Sequence, residues 1–157
     1  MVRKVYFSFD YDRDIKSGRA NQPKNSWVTK QNGEATFIDA SLWEKTTPKG
    51  RSAIKKLIDD GLIGTSVTAV LIGAETYKSE CVKYEIEESY KRPNGLLGIY
   101  IHNVKDLAGK TDTKGKNPFD YADVAGTRYP TYDWILDEGY ENIATWVEEA
   151  AKAAGRD

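Results

Sequence analysis

The chain has 157 residues, 39% of them hydrophobic and 30% charged, which fits one globular domain. Its 23 basic and 24 acidic residues give a formal net charge of -1, so no general positive field exists to hold nucleic acid, and we expect no nucleic-acid partner. The single cysteine, Cys81, excludes an internal disulfide and a cysteine-based zinc cluster.

Targeting signals are not evident. The opening MVRKVYFSFD has an apolar run too short and too aromatic for a signal peptide. No stretch approaches the roughly 20 apolar residues of a membrane span. We therefore expect a cytoplasmic protein with no membrane partner and no bound metal.

The first third of the chain contains two predicted strands. Residues 5–9 are β-branched and aromatic, which favours a strand, and residues 35–38 form a shorter second one. The segment over residues 19–30 is compatible with a helix. Residues 39–50 are rich in turn-forming residues and are predicted to be a loop.

The middle of the chain has a clearer pattern. Apolar residues at spacings of three and four predict an amphipathic helix over residues 52–62. Residues 66–72 are almost entirely apolar or β-branched, which is typical of the centre of a parallel sheet. A second helix is predicted over residues 79–91, followed by a fourth buried strand over residues 96–101.

The last third begins with a long polar segment, residues 103–133, which is a long loop or insertion with a short fifth strand expected near residues 128–129. A final helix is predicted over residues 140–154. Strands that alternate with helices indicate βαβ units. The prediction for residues 1–157 is therefore a single α/β domain, a three-layer sandwich around a mostly parallel sheet.

In such a sheet, ligands bind at the carboxyl ends of the strands. Residues 8–14, 39–46 and 73–78 are expected to converge there. Neither a P-loop nor a G-x-G-x-x-G turn is present, so these two nucleotide-binding sites are excluded.

A phosphoacceptor receiver domain is a weaker alternative. Asp10, Asp12 and Asp14 follow the first strand, as that chemistry requires. The third strand, however, ends in Leu-Ile-Gly-Ala and lacks the acceptor aspartate. The simpler interpretation of the three aspartates is a solvated loop that helps to orient a ligand.

The helix over residues 79–91 carries an apolar stripe and, beside it, a row of residues on the border between core and water. The stripe contains Val82, Ile86 and Tyr90, and the row contains Cys81, Glu85 and Ser89. Glu85 is therefore the acid of this helix that lies half-buried near the ligand edge, where burial can raise its pKa. From the residues alone, an exposed Glu85 paired with a lysine is an equally good interpretation.

Two other side chains allow two interpretations each. His102 is the only histidine, and a structural role is favoured over a catalytic one. Trp43 falls near the ligand edge, where it either stacks on a purine or nicotinamide ring or packs in the core.

Several separate segments, in the right order, resemble one family. They are KVYFSFDYDRD, RANQPKNSWV, FIDASLWEKT, TSVTAVLIGAETYKSECVKYEIEES, LLGIYIHNVKD, NPFDY and YPTYDWILDEGYENIATWVEEA. They are similar to the TIR-like (Toll/interleukin-1-receptor-like) family that includes the TIR-domain subunit of the Thoeris anti-phage system. The resemblance covers nearly the whole chain.

This resemblance implies a flavodoxin-like TIR fold and an enzyme that cleaves the nicotinamide–ribose bond of NAD to make a cyclic ADP-ribose-type signal. The family's glutamate lies in a W-V-x-x-E-I-like context, and C-V-K-Y-E-I here matches it at Val82, Glu85 and Ile86. The resemblance thus implies that Glu85 is catalytic. Cys81 is a departure, since tryptophan is common at that position.

The remaining site residues are also implied by the resemblance. The edge of the first strand corresponds to Ser8, Phe9 and Tyr11, and the region after the second strand to Asp39, Ser41 and Trp43. NAD is expected as the substrate, with no cofactor, and the partner is expected to be an effector reached through a diffusible nucleotide. Self-association is left open, and a non-catalytic TIR-like interaction or adaptor module is the alternative.

Overall fold

The computed structural model describes residues 3–156. One sheet of five parallel strands crosses the molecule in the order β2-β1-β3-β4-β5, which is the flavodoxin-like order. The strands are β1 (Lys4–Ser8), β2 (Glu34–Thr36), β3 (Val67–Ile72), β4 (Gly95–Tyr100) and β5 (Thr131–Asp133). The terminal residues 1, 2 and 157 of the expected domain lie outside the described range. The predicted α/β class with a parallel sheet is confirmed.

Five α-helices cover the two faces of the sheet. They are α1 (Asn21–Thr29), α2 (Ala40–Thr46), α3 (Arg51–Leu62), α4 (Glu80–Lys91) and α5 (Gly139–Ala153). Shorter helical segments are Tyr11–Ile15, Thr47–Lys49, Thr76–Lys78 and Pro118–Tyr121. None of the described helices is long and apolar enough to cross a membrane.

The two faces of β1 belong to different parts of the core. Because side chains alternate along a strand, Val5 and Phe7 pack on one face with residues of α1 and α5. Tyr6 packs on the opposite face, where residues of α3 form a second cluster. All six residues of β3 are buried, as expected for a central strand with helices on both faces. Ser8 lies two residues after Tyr6 and therefore shares its face, which α4 also contacts through the hydrogen bond from Ser8 to Glu85.

The prediction of a loop over residues 39–50 is wrong. The segment forms α2 and the short helical segment Thr47–Lys49. Asp39 caps α2, since its Oδ1 accepts a hydrogen bond from the backbone N–H of Leu42 at 2.9 Å. The sequence did not indicate this helix, because α2 has only seven residues and only Trp43 is buried, so no helical repeat of apolar residues is visible. The turn-forming residues lie at the end of the helix.

The position predicted for the fifth strand is also wrong, by a few residues. The strand lies at Thr131–Asp133 and not at residues 128–129. Its pairing starts at Pro130, whose carbonyl accepts from Gly98 N at 2.9 Å. Proline has no N–H to donate, so the paired strand begins just after it. The final helix begins and ends within one residue of its predicted bounds.

Candidate active site

Glu85 is held by two hydroxyl groups of β1. The Tyr6 hydroxyl donates to Oε2 of Glu85, and Ser8 Oγ donates to Oε1 at 2.8 Å. All three side chains are buried, Glu85 being 3% exposed. Both carboxyl oxygens are therefore occupied by the strand that ends at the ligand edge of the sheet.

Burial changes the acid–base behaviour of this carboxyl. It raises the pKa of Glu85 to about 8, although the hydrogen bonds from Tyr6 and Ser8 act in the opposite direction. Among the ion pairs of residues 3–156, none includes Glu85, so the interpretation as an exposed glutamate paired with lysine is wrong. With this pKa, modest changes in the surroundings of Glu85 decide whether its carboxyl is ionised near neutral pH.

Tyr6 was not identified by sequence reasoning. It lies 79 positions from Glu85, and nothing in the sequence links the two. The available signal was the alternation of β1, which places Tyr6 on the same face as Ser8. Burial, followed by the neighbouring Glu85, raises the pKa of Tyr6, so its phenol stays protonated and remains a donor.

A small cavity lies at the carboxyl edge of the sheet, next to the residues that follow β1. Its volume is about 140 Å³. The lining residues are Phe9, Asp10, Tyr11, Asp12, Ala40, Trp43, Glu44, Ser79 and Cys81. Glu85 is not in this lining, because it lies one turn of α4 beyond Cys81. The cavity is smaller than the roughly 300 Å³ of the smallest usual ligand pockets, so it accommodates about one ring system.

Acidic side chains dominate the charge of this cavity. Asp10, Asp12 and Glu44 contribute carboxyl groups to the lining, which contains no lysine or arginine. Burial raises the pKa of Asp10, and the neighbouring Asp12 acts in the same direction. A bound cationic group would reduce the electrostatic repulsion among these carboxylates.

Aromatic side chains form the walls. Phe9 and Tyr11 stack with their ring centroids 5.2 Å apart, and both line the cavity. Trp43 is 7% exposed and packs with Tyr6 and Ile38, so its packing interpretation is correct and its edge also borders the cavity. Three of the predicted substrate contacts, Phe9, Tyr11 and Trp43, are thus brought together.

Asp39 and Ser41 are not part of this wall. Both are exposed, and Ser41 Oγ donates to Oδ1 of Asp39 at 2.8 Å within the cap of α2. The hydrogen bond from Leu42 N, together with that of Ser41, lowers the pKa of Asp39. Their contact with a substrate remains a prediction.

The aspartates after β1 do not behave alike. Asp12 is exposed, whereas Asp14 is 3% exposed and lies against Gly73, where an added Cβ would meet Asp14 Oδ1 at 2.6 Å. Burial and the nearby Asp10 raise the pKa of Asp14 to about 7. The interpretation of a uniformly solvated loop is therefore wrong for Asp14.

His102 is buried after β4, with Nε2 3.8 Å from Asp133. Burial lowers the pKa of His102, which favours its neutral form. His102 is not in the lining of the cavity, which agrees with the structural role that its position indicated.

The strand order and the helix arrangement are those of a TIR-like α/β protein. Residues 6–106 match the family described as Thoeris protein ThsB, TIR-like domain, and the chain belongs to that family. A relative from Bacillus cereus (strain MSX-D12), named "Putative cyclic ADP-D-ribose synthase ThsB1", is 35% identical over 192 residues. That comparison covers 94% of this chain and 100% of the relative.

One solved structure, the sugar isomerase domain of an RpiR transcription factor from Sphaerobacter thermophilus, matches with a TM-score of 0.45 and 9% identity. The match covers 98% of this chain and 75% of that chain. A likeness at this score carries no argument about function.

Proposed function

We propose that this protein cleaves the nicotinamide–ribose bond of NAD and converts the rest of the molecule into a cyclic ADP-ribose-type signal for anti-phage defence. The name of the Bacillus cereus relative and the Thoeris family match support this activity. The structural observation that carries the proposal is the buried Glu85, whose two carboxyl oxygens accept hydrogen bonds from Tyr6 and Ser8 at the ligand edge of the sheet.

The cavity suits the nicotinamide end of NAD. The nicotinamide ring carries the positive charge of NAD, and the lining carries Asp10, Asp12 and Glu44. Its volume of about 140 Å³ suits a single ring and not a whole dinucleotide. The aromatic walls provide flat surfaces against which a ring can stack.

Glu85 would stabilise the charge that develops when the bond breaks. The electron pair of the bond leaves with nicotinamide, which becomes neutral, and positive charge remains on the ribose as an oxocarbenium-like state. An ionised Glu85 in a site without water stabilises that charge strongly. A cation entering the cavity also favours loss of the Glu85 proton.

Access to Glu85 requires a small rearrangement. Cys81 lines the cavity one helical turn before Glu85, and burial, followed by the nearby Glu85, raises the pKa of its thiol to about 12. Cys81 therefore stays neutral and is a poor nucleophile, and it would have to shift for a ribose to reach Glu85. The ribose hydroxyls would then replace the hydrogen bond that Ser8 donates to Glu85.

Cyclisation needs a group of the substrate to attack in place of water. The nucleophile would be the adenine or a ribose hydroxyl, which donates its electron pair to the cationic ribose carbon. Closure of the walls formed by Phe9, Tyr11 and Trp43 over the bound substrate would exclude water and so disfavour hydrolysis. NAD would serve as the substrate without a further cofactor, and the product would reach an effector by diffusion.

The test is the loss of NAD and the identity of the product, measured by chromatography with mass detection. Wild type would be compared with Glu85→Gln and with Glu80→Gln, an exposed glutamate of the same helix. High protein concentration would allow self-association, if activity requires it. We expect nicotinamide and a cyclic product from wild type and Glu80→Gln but not from Glu85→Gln.

Equal activity of Glu85→Gln would remove Glu85 from its role. Inactivity of the wild type at every concentration, and in extract of phage-challenged cells, would favour the non-catalytic interaction module.

A further inference from the structure

A lysine lies on the aromatic residues next to the acidic cavity. Lys24 of α1 places its Nζ 4.0 Å from the centroid of the Phe37 ring and 5.9 Å from that of Phe9. These rings follow β2 and β1 directly, so the ammonium group lies at the carboxyl edge of the sheet. Phe9 also lines the cavity, and the two sites therefore share a wall.

Within the described part of the chain, no carboxylate forms an ion pair with Lys24. Among the ion pairs and hydrogen bonds of residues 3–156, none involves its Nζ. Lys24 is half-buried, so its ammonium group has lost part of its hydration, and this burial lowers its pKa. The contacts of the ammonium group with the faces of Phe9 and Phe37 compensate for only part of the free energy of this lost hydration. A bound anion would compensate for more of it, because it would form a charge-assisted hydrogen bond with the ammonium group.

Two other cations near this edge are already paired. Arg19 is buried and lies 3.5 Å from Asp106 and 3.6 Å from Asp112. Arg13 also contacts Asp112, at 3.3 Å. Both arginines hold the segment after β4 in place, so their charges are less available to a ligand than that of Lys24.

We propose that Lys24 binds the pyrophosphate of NAD while the acidic cavity holds the nicotinamide end. This inference rests on the proposed function. The substrate carries a cation in its nicotinamide ring and two phosphates beyond the adjoining ribose, and the protein presents an acidic cavity and the Lys24 ammonium group, both next to the Phe9 ring. The pair therefore orients NAD and selects ligands that carry a phosphate.

The experiment is calorimetric binding of NAD and of nicotinamide riboside, which lacks the pyrophosphate. All proteins would carry Glu85→Gln so that substrate is not consumed, with Lys24→Gln as the test and Lys30→Gln as the control. Lys30 lies at the end of the same helix, with Nζ 3.7 Å from the centroid of the Tyr140 ring, away from the cavity. Circular dichroism would confirm that each variant is folded.

Loss of a charge-assisted contact costs about tenfold or more in affinity. We expect that loss for NAD in Lys24→Gln, no change for nicotinamide riboside, and no change for either ligand in Lys30→Gln. Lys24→Arg should recover most of the NAD affinity.

Two results would overturn the inference: unchanged NAD affinity in Lys24→Gln, or an equal loss for NAD and nicotinamide riboside. The proposed function is tested separately by wild-type turnover. Lys24-dependent binding without cleavage by wild type would keep the phosphate site and reject the enzyme. Cleavage of NAD by wild type, with unchanged NAD affinity in Lys24→Gln, would support the enzyme and reject the phosphate site.

Discussion

The Tyr6 hydroxyl and Oε2 of Glu85 form a hydrogen bond between β1 and α4, across 79 positions of the sequence. Tyr6 is fully buried, so no water replaces it as a donor. The bond stabilises the ionised form of Glu85 against the effect of burial, which favours the protonated form. Tyr6 therefore helps to set the pH at which Glu85 carries its charge.

NAD cleavage should increase as the pH rises through about 8, because the ionised Glu85 is the active form. Tyr6→Phe removes a donor to the carboxylate, so the rise in kcat/KM should move to higher pH. The lost buried hydrogen bond should also cost about 1–3 kcal/mol of stability. The measurement is kcat/KM against pH, which reports the pKa of the free enzyme. The same profile for wild type and Tyr6→Phe would contradict this role.

Glu85→Gln should stabilise the protein at high pH. The pKa of Glu85 is about 8 in the folded protein and near 4.5 when unfolded, so between these values the folded state binds more protons. Stability therefore falls as the pH rises from about 4.5 to 8. Glutamine removes that loss, and we expect a gain of up to a few kcal/mol at pH 9 but little change near pH 4.

Urea unfolding of wild type and Glu85→Gln at the two pH values measures this difference. Asp14, whose pKa is raised to about 7, acts in the same direction in both proteins and so cancels in the comparison. A Glu85→Gln variant that is less stable than wild type at pH 9 would show that the carboxylate is well solvated in the fold.

The central elements were predictable because their signals are local. β3 (Val67–Ile72) is apolar on both faces, and α4 has an apolar stripe after its N-cap Ser79, which accepts from Val82 N at 3.2 Å. The position of Glu85 on the border of that stripe followed from helical geometry alone. Its full burial did not, because it depends on the side chains of β1.

The rest of the site depends on contacts between distant segments. The Tyr6–Glu85 bond exists because β1 pairs with β3, with Tyr6 opposite Thr68, and α4 packs across that pair. The cation of Lys24 meets Phe37 only after α1 packs over β2. Neither pairing leaves a pattern in the sequence.

Trp43 offers a test of the cavity wall. Trp43→Ala should cost about 3–5 kcal/mol of stability, since it removes a buried aromatic side chain from the cluster with Tyr6 and Ile38. Trp43→Phe keeps much of that packing but shortens the wall of the cavity. We expect it to raise KM for NAD with a smaller change in kcat. Steady-state kinetics and thermal unfolding of both variants distinguish the role of Trp43 in substrate binding from its role in packing. An unchanged KM in Trp43→Phe would show that Trp43 acts only in packing.

The segment after β4 can be displaced from the ligand edge by one methyl group. A Cβ on Gly115 would lie 2.1 Å from the backbone oxygen of Gly73, which cannot move as a side chain can. Gly115→Ala should therefore lift this segment from the end of β3 and expose Asp14, at a cost of about 1–3 kcal/mol. Hydrogen exchange over residues 103–116 should become faster. The rate of NAD turnover then shows whether activity depends on this segment lying against the end of β3.

Gly109→Ala is the matched control. Gly109 lies in the same segment, and a Cβ there meets nothing within 4 Å, although its φ of +78° adds backbone strain of about 1 kcal/mol. We expect local strain at Gly109 without faster exchange around Asp14, because the contact between Gly115 and Gly73 stays intact. Equal exchange in the two variants would mean that backbone strain alone loosens the segment, and that the close approach of Gly115 to Gly73 does not hold it against the sheet.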